Sequence, residues 1–207
     1  MVVVPSEYLE RHHEPDTPVQ SEASWVENVF TDSEMDDIVA LNDSLFMEPG
    51  PIGSVEVNNG QYKGLVDPII RHCSIGFMFP NDDTKWIFER VTAAAIHANK
   101  GFDFDLQGLA DGIQLTRYDK EGQHYGWHQD RGPGRLNRKL SVTVQLSDPA
   151  DYEGGELQLS WGKDPVVADN RRGVATFFPS FTNHRVTPVT QGTRYSLVAW
   201  FVGPLFK

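Results

Sequence analysis

The sequence contains one cysteine in 207 residues and no long apolar run. Cys73 has no second cysteine to pair with, so an internal disulfide is excluded and nothing calls for an oxidising compartment. No apolar stretch reaches membrane-spanning length, and the start, Met1–Pro5, lacks the basic segment and long apolar core of a signal peptide. We therefore expect a cytoplasmic protein without a membrane partner.

Basic residues are also scarce, with 18 Lys and Arg against 29 Asp and Glu and a formal net charge of −11. Residues 117–194 are an exception, because they hold 11 basic and 9 acidic residues. An acidic protein repels a nucleic acid duplex, so we expect no nucleic-acid partner. The locally basic segment is compatible with an acidic small molecule or peptide, and equally with a solvated surface of mixed charge.

The length and a 39% apolar composition predict one domain with a full-sized core. Residues 1–24 contain three prolines among polar residues and show no periodicity, which predicts a loosely ordered N-terminal arm. We expect residues 25–207 to form the domain, with helical support at about 25–111 and a β-rich core at about 112–203.

Two helices are predicted in the first half of the chain. Thr31, with Glu34 three residues later, forms the capping box of the first helix, which follows a strand predicted at 25–30. Asp82 or Asp83 is expected to cap the second helix. Both helices have apolar residues at helical spacing, so we expect them to pack on a sheet.

From Gly112 onward, the sequence pattern changes to short strands separated by turn residues. Before Gly112, residues 55–64 predict a hairpin around Asn58-Asn59-Gly60, which we expect to be a flexible hairpin or a lid. The strand pattern is typical of a sandwich or barrel, and with the two helices it predicts an α+β, mainly β fold, a double-stranded β-helix or jelly roll with supporting N-terminal helices. The predicted strands are 113–118, 125–128, 139–146, 156–161, 165–168, 173–178, 183–187 and 194–202.

Candidate metal ligands stand in Trp127-His128-Gln129-Asp130. Residues two apart in a strand project to the same side, so His128 and Asp130 can bind one ion. His184 lies in a later predicted strand, at a separation that lets opposing sheets meet. Two histidines and one carboxylate form the facial triad of non-haem Fe(II) oxygenases, which leaves positions for a cosubstrate and O2. A His-x-Asp pair alone is also compatible with a surface hydrogen bond.

Arg194 starts the last predicted strand, and its apolar neighbours predict that it is buried. A buried arginine without an anionic partner is energetically costly, so a dicarboxylate ligand would explain it. The alternative is an internal ion pair with an aspartate or glutamate.

Three stretches and their spacing carry a resemblance to a known family. Residues 115–130 contain an arginine-tyrosine pair and a glycine-rich lead into His-x-Asp. Residues 140–149 and 152–157 form a strand followed by a glycine turn, and His184 with Arg194 ten residues later completes the pattern. Together they resemble the Fe(II)/2-oxoglutarate-dependent dioxygenases, and within them the prolyl 4-hydroxylase-like branch.

The resemblance implies a role for each matching residue. His128, Asp130 and His184 would bind Fe(II) and form the catalytic centre, Arg194 would pair with the distal carboxylate of 2-oxoglutarate, and Tyr118 would donate its hydroxyl to this cosubstrate. The alternative for Tyr118 is a core aromatic residue. The implied reaction is C–H hydroxylation with O2 as the second cosubstrate, succinate and CO2 as coproducts, and ascorbate as a supporting reductant.

The resemblance covers about residues 112–203 and makes a prolyl residue in a peptide or protein the leading substrate. A free amino acid or another small molecule is the alternative. Trp127, Arg131 and Trp161 are candidate substrate contacts, because loops at the mouth of a barrel commonly recognise substrate. Nothing in the sequence predicts an oligomeric state.

Two other classes of protein stay open. One is a non-catalytic metal-binding jelly roll that acts as a sensor or binding module. The other is a hydrolytic zinc enzyme, because two histidines and an aspartate also suit Zn(II). Arg194 and Tyr118 argue against the hydrolase, which has no need of a dicarboxylate clamp.

Overall fold

The structure is a computed structural model that describes residues 22–58 and 61–206. Most of the predicted arm at 1–24 lies outside these residues, as do Asn59 and Gly60 of the predicted hairpin turn. Within the described residues, no helix is both long and apolar enough to span a membrane.

Helix α1, Asp32–Ala40, begins at the predicted capping box. The Thr31 hydroxyl accepts a hydrogen bond from the Glu34 backbone N–H at 3.3 Å, and the Glu34 carboxylate accepts one from the Thr31 N–H at 2.8 Å. These bonds satisfy backbone donors that a helix start leaves free. Met35 and Ile38 are buried and join the main apolar core.

Helix α2, Lys85–Ala98, begins later than the sequence predicts. The prediction that Asp82 or Asp83 caps it is wrong, because Thr84 is the residue that precedes the helix. The Asn81 side chain instead accepts hydrogen bonds from the backbone N–H groups of Asp83 and Thr84 at 2.9 and 3.0 Å. This local turn delays the start of the helix.

The strands predicted after Gly112 are all present, each within two residues of its predicted bounds. Short 3-10 helices occur at Leu41–Asp43, Asn99–Gly101 and Pro149–Asp151. The strands are β1 Ser24–Val26, β2 Glu48–Pro49, β3 Gly53–Asn58, β4 Gln61–Leu65, β5 Arg71–His72, β6 Ser74–Met78, β7 Gly108–Leu109, β8 Ile113–Tyr118, β9 His124–His128, β10 Arg138–Gln145, β11 Tyr152–Gly154, β12 Leu157–Ser160, β13 Val166–Val167, β14 Ala175–Pro179, β15 Asn183–Val186, β16 Val189–Gly192 and β17 Arg194–Val202.

The strand predicted at 25–30 is shorter in the structure, because β1 ends at Val26. Asn28 adopts a positive φ of 55°, and this left-handed conformation cannot continue a strand. Val29 and Phe30 are nevertheless buried, so the apolar pattern is satisfied by packing and not by strand pairing.

Two sheets face each other, and all their strand pairs are antiparallel. The major sheet has the order β1-β14-β10-β17-β8-β6-β2, with β7 also paired to β17, and the minor sheet has the order β13-β12-β15-β9-β5. Two further pairs, β11-β16 and the predicted hairpin β3-β4, stand apart from these sheets. The arrangement is the predicted double-stranded β-helix, and five of its strands, β1, β2, β5, β6 and β7, come from the region before residue 112.

The two faces of the major sheet differ in polarity. In β8, Ile113 and Leu115 are fully buried in the core that also contains residues of α1 and α2. Their alternating neighbours Gln114, Thr116 and Tyr118 line a cavity between the two sheets. The outer face therefore fixes the sheet to the helices, and the inner face carries polar groups into the interior.

Thr31→Ala should lower the free energy of unfolding by about 1 kcal/mol, because the first turn of α1 loses the hydroxyl that accepts from Glu34. Urea denaturation measures this quantity. Ser33→Ala, at an exposed position in the same turn, is the matched control and should have little effect. Equal effects of the two substitutions would contradict the capping role of Thr31.

Candidate active site

The two histidines singled out by the sequence are cross-strand neighbours. His128 at the end of β9 pairs in register with His184 on β15, and their imidazole centroids are 4.1 Å apart. They lie on adjacent strands of the minor sheet, and the expectation that opposing sheets bring His184 to His128 is wrong. Facing side chains on neighbouring antiparallel strands approach closely, which explains their contact.

Asp130 lies just beyond the end of β9 and completes a compact cluster. Its Oδ1 atom is 3.8 Å from Nε2 of His128, and its Oδ2 atom is 3.5 Å from Nε2 of His184. One ligand atom from each residue lies within 4.8 Å of the other two. This spacing suits a single ion bonded to each atom at about 2 Å.

Hydrogen bonds fix the orientation of both imidazole rings. Nδ1 of His128 is 2.8 Å from the Gly126 carbonyl oxygen, and Nδ1 of His184 is 2.9 Å from the Thr182 carbonyl oxygen. A carbonyl oxygen only accepts, so each Nδ1 must carry the proton and donate it. The lone pair of each neutral ring is then on Nε2, the atom that faces Asp130 and is free to bind a metal.

The electrostatics of the cluster favour the protonation states that bind metal. Burial, with a further contribution from the neighbouring His184, lowers the pKa of His128 to about 3. Burial alone would raise the pKa of Asp130, but the two histidines and the Ser141 hydroxyl, which donates to Oδ2 at 2.7 Å, outweigh it and lower that pKa. The cluster therefore presents a neutral imidazole beside a carboxylate, as metal ligation requires.

Arg194 lies on the inner face of the major sheet and is only 2% exposed. Its Nη1 donates to the Ser196 hydroxyl at 3.3 Å, and its Nε has no hydrogen-bond partner among the described residues. No carboxylate in that part of the chain forms an ion pair with it, so the internal ion pair considered above is not found there. A Cβ atom at Gly155 would lie 2.9 Å from Cδ of Arg194, so glycine there leaves room for the arginine side chain.

Tyr118 pairs with Arg194 in the register of β8 and β17, and the Arg194 guanidinium carbon is 5.6 Å from its ring centroid. The ring belongs to an apolar cluster between the sheets, and the residue also lines the cavity. Burial raises the pKa of the Tyr118 hydroxyl, which therefore stays protonated and able to donate a hydrogen bond.

One cavity of about 300 Å³ joins these residues. His128, Asp130 and His184, here called the metal-type cluster, lie on the minor-sheet side of the cavity. Arg194 and Tyr118 lie on its major-sheet side. Its volume is at the lower end of the range for small-molecule sites. Other residues of the wall were not predicted from the sequence and include Arg71, Gln114, Thr116, Tyr125, Arg138, Thr143, Ser196 and Trp200. The polar residues at alternate positions of β8 and β17 are the signal that would have identified several of them.

The three predicted substrate contacts do not line this cavity. Trp127 is 38% exposed, and the Arg185 guanidinium carbon lies 4.7 Å from its ring centroid. Arg131 lies against the ring of Phe206, and Trp161 packs beside the apolar cluster between the sheets. Their role in substrate recognition stays a prediction about surfaces outside the cavity.

The stability of the metal-free protein should depend on pH through His128. The folded protein keeps His128 neutral down to about pH 3, whereas the unfolded chain protonates it below the ordinary imidazole pKa of 6.5. The free energy of unfolding should therefore be highest above pH 6.5 and fall as the pH falls toward 3. Urea denaturation across this range should show a shallower decline for His128→Gln. Identical pH slopes for the two proteins would contradict the buried neutral imidazole.

Residues 113–202, which run from β8 to the end of β17, match the sequence model of the 2OG-Fe(II) oxygenase superfamily. A Sphingopyxis alaskensis protein named PKHD-type hydroxylase is 45% identical over 85 residues, which cover 39% of this chain and 38% of that protein. The chain thus matches about two fifths of the length of this curated relative. The range 113–202 that matches the family model contains His128, Asp130 and His184.

Two solved structures share the fold over most of the chain. A Pseudomonas putida prolyl-4-hydroxylase has a TM-score of 0.67 and 18% identity, covering 88% of this chain and 93% of that one. A Trichoplax adhaerens prolyl hydroxylase, solved with a peptide fragment of the hypoxia inducible factor oxygen degradation domain, has a TM-score of 0.72 and 18% identity, covering 87% and 83%. Residues 113–202 are thus similar to the 2OG-Fe(II) oxygenase superfamily, and the chain shares its fold with two solved prolyl hydroxylases.

Proposed function

We propose that the protein is an Fe(II)- and 2-oxoglutarate-dependent dioxygenase that hydroxylates a C–H bond. One observation carries the proposal: a His-Asp-His cluster shares its cavity with Arg194, a buried arginine that has no carboxylate partner in the described part of the chain. The similarity of residues 113–202 to the 2OG-Fe(II) oxygenase superfamily supports Fe(II) and 2-oxoglutarate as its cofactor and cosubstrate. We also infer that residues 25–207 act as a single domain and that the protein is cytoplasmic.

His128, Asp130 and His184 would hold the iron. Their donor set is the two imidazoles and one carboxylate that non-haem Fe(II) favours, and three protein ligands leave coordination positions for other molecules. When bound, Fe(II) and 2-oxoglutarate supply the activation of O2, with succinate and CO2 as coproducts. The protein contributes the ring orientation set by the two Nδ1 bonds and the hydroxyl of Ser141 that steadies Asp130.

Arg194 and Tyr118 would hold 2-oxoglutarate. The unpartnered Nε of Arg194 fits a carboxylate, because a guanidinium presents donors in a planar fork that matches two carboxylate oxygens. Ser196 accepts from Nη1 and so orients the fork within the cavity. The protonated Tyr118 hydroxyl can donate a further hydrogen bond to the cosubstrate.

The proposed substrate is a prolyl residue in a peptide or protein. The two prolyl hydroxylases of similar fold, one of them solved with a peptide, support this choice. A cavity of about 300 Å³ suits one side chain together with the cosubstrate, and it suits a free amino acid or another small molecule as well. Trp127, Arg131 and Trp161 would contact parts of a peptide outside the cavity. We further expect ascorbate to support turnover.

Two other classes of function make different predictions. A non-catalytic sensor would bind Fe(II) and 2-oxoglutarate but form no succinate. In a zinc hydrolase the buried cation of Arg194 would have no anionic ligand, since hydrolysis requires no dicarboxylate beside the metal. Succinate formation, measured with and without Fe(II), distinguishes both from the proposed oxygenase.

Asp130→Ala should abolish succinate formation, because the iron loses its only carboxylate ligand. Anaerobic addition of Fe(II) and 2-oxoglutarate should give wild type a weak visible charge-transfer band, which His184→Ala should abolish. Asp164→Ala removes an exposed carboxylate and is the control that should retain both signals. An Asp130→Ala protein with wild-type succinate formation would disprove the proposed ligand set.

Arg194→Ala should raise the 2-oxoglutarate concentration needed for half-maximal succinate formation by about tenfold to a hundredfold, the range expected when a charged hydrogen bond is lost. Ser196→Ala removes only the hydroxyl that accepts from Nη1 of Arg194, and it should have a smaller effect. Initial rates at varied 2-oxoglutarate measure both. An unchanged requirement in the Arg194 variant would overturn its assignment.

A further inference from the structure

Arg71 is one of three buried arginines that line the cavity, together with Arg138 and Arg194. The residue is 8% exposed, its Nε donates to Sγ of Cys73 at 3.2 Å, and its Nη1 donates to the Pro51 carbonyl oxygen at 2.9 Å. A guanidinium has five N–H donors, so these two neutral acceptors cannot satisfy all of them. No carboxylate within residues 22–53 and 64–206, whose side chains the structure describes, forms an ion pair with it. Arg71 is therefore a buried cation that has no counter-ion among those described side chains.

The charge balance of the cavity wall singles out Arg71. Arg138 pairs with Asp111 at 2.9 Å, Asp130 belongs to the metal-type cluster, and Arg194 is assigned to the cosubstrate. Two arginines of the wall remain: Arg135 is exposed to solvent, and Arg71 is buried. A buried charge without a partner is energetically costly, so a bound anion would offset the cost. The wall carries four arginines and two aspartates: Arg71, Arg135, Arg138, Arg194, Asp111 and Asp130.

The aromatic ring of Tyr125 lies between Arg71 and the metal-type cluster and contacts both. The guanidinium carbon of Arg71 is 4.5 Å from the ring centroid of Tyr125, and that ring stacks on the imidazole of His128 with centroids 3.5 Å apart. The cation–π contact keeps the guanidinium in a defined place. An anion bound by Arg71 would thus lie beside the reacting centre and not at the outer rim.

Gly50 provides the space in which the Arg71 head group lies. A Cβ atom at position 50 would come within 2.5 Å of Nε of Arg71 and 2.8 Å of Sγ of Cys73. A side chain there would displace the guanidinium while leaving its charge in the chain. Gly50 therefore offers a way to move the cation without removing it.

We propose that Arg71 binds a carboxylate of the substrate, so that the preferred substrates carry a carboxylate next to the hydroxylated residue or carbon. The inference rests on the proposed dioxygenase function and narrows its substrate class. Two kinds of substrate carry such a carboxylate. In a peptide it is an acidic side chain, and in a free amino acid it is the α-carboxylate.

Matched pairs of probes test the proposal and separate the two sources. The first set is proline-containing peptides with Asp or Glu beside the proline, each compared with the same peptide bearing Asn or Gln. The second pair is free proline and prolinamide. Wild type should favour the carboxylate-bearing member of at least one pair by about tenfold to a hundredfold in kcat/KM, measured as the gain of one oxygen by mass spectrometry. Equal turnover within every pair would overturn the proposal.

Variants then assign the preference to Arg71. Arg71→Gln and Gly50→Ala should both lose the preference, the first by removing the cation and the second by displacing it. Lys120→Gln removes the same charge from an exposed position and should keep the preference. If Arg71→Gln fails to fold, Gly50→Ala decides the result, and a retained preference in a folded Gly50→Ala protein would contradict the proposal.

Substrate-independent succinate formation distinguishes this inference from the proposed function. Arg71→Gln should still form succinate without substrate, and half-maximal formation should need the same 2-oxoglutarate concentration as in wild type. A raised requirement would assign Arg71 to the cosubstrate and overturn its role toward substrate. A wild-type protein that forms no succinate would instead refute the dioxygenase function itself.

Discussion

The in-register pairing of His128 with His184 on neighbouring strands is the constraint on which the site depends. Side chains alternate between the faces of a strand, so a slip of one residue between β9 and β15 would turn one imidazole away from the cavity. On the other edge of β15, His184 pairs in register with Leu159 of β12, which is fully buried. The apolar part of the minor sheet thus holds the polar cluster in place.

The major sheet supplies the opposite wall because its two faces are chemically different. Its outer face is apolar and buried against the helices, and this packing holds β8 and β17 in position. Its inner face can then present Tyr118 and Arg194 to the cavity, although burying a guanidinium disfavours folding. A dicarboxylate cosubstrate would relieve that cost when it binds. The stability of the outer core and the reactivity of the inner face are in this way linked through the same strands.

Much of the fold could be predicted from local pattern. The capping box at Thr31, the strands from residue 113 onward and the His-x-Asp motif each depend on neighbours in sequence, and the structure contains all three. The prediction for β1 failed at Asn28, where one backbone angle ends the strand, and the prediction for the start of α2 failed where the Asn81 side chain bonds to the backbone. Both failures are single local interactions that apolar periodicity does not report.

The cavity wall was harder to predict, because it is assembled from strands that are distant in sequence. Arg71 lies in β5, a strand of two residues whose pairing with β9 brings it beside Tyr125. No periodicity is detectable over so short a segment. The proposed role of Arg71 in selecting substrate therefore follows from burial, contacts and charge balance, which only the three-dimensional arrangement provides.

The most direct test of the proposed site is anomalous diffraction at the iron absorption edge, from crystals grown anaerobically with Fe(II) and 2-oxoglutarate. The proposed site requires one iron bonded to Nε2 of His128, Nε2 of His184 and the carboxylate of Asp130, with the distal carboxylate of 2-oxoglutarate on Arg194. An iron bonded to other residues, or a fourth protein ligand that closes the site to 2-oxoglutarate, would contradict it.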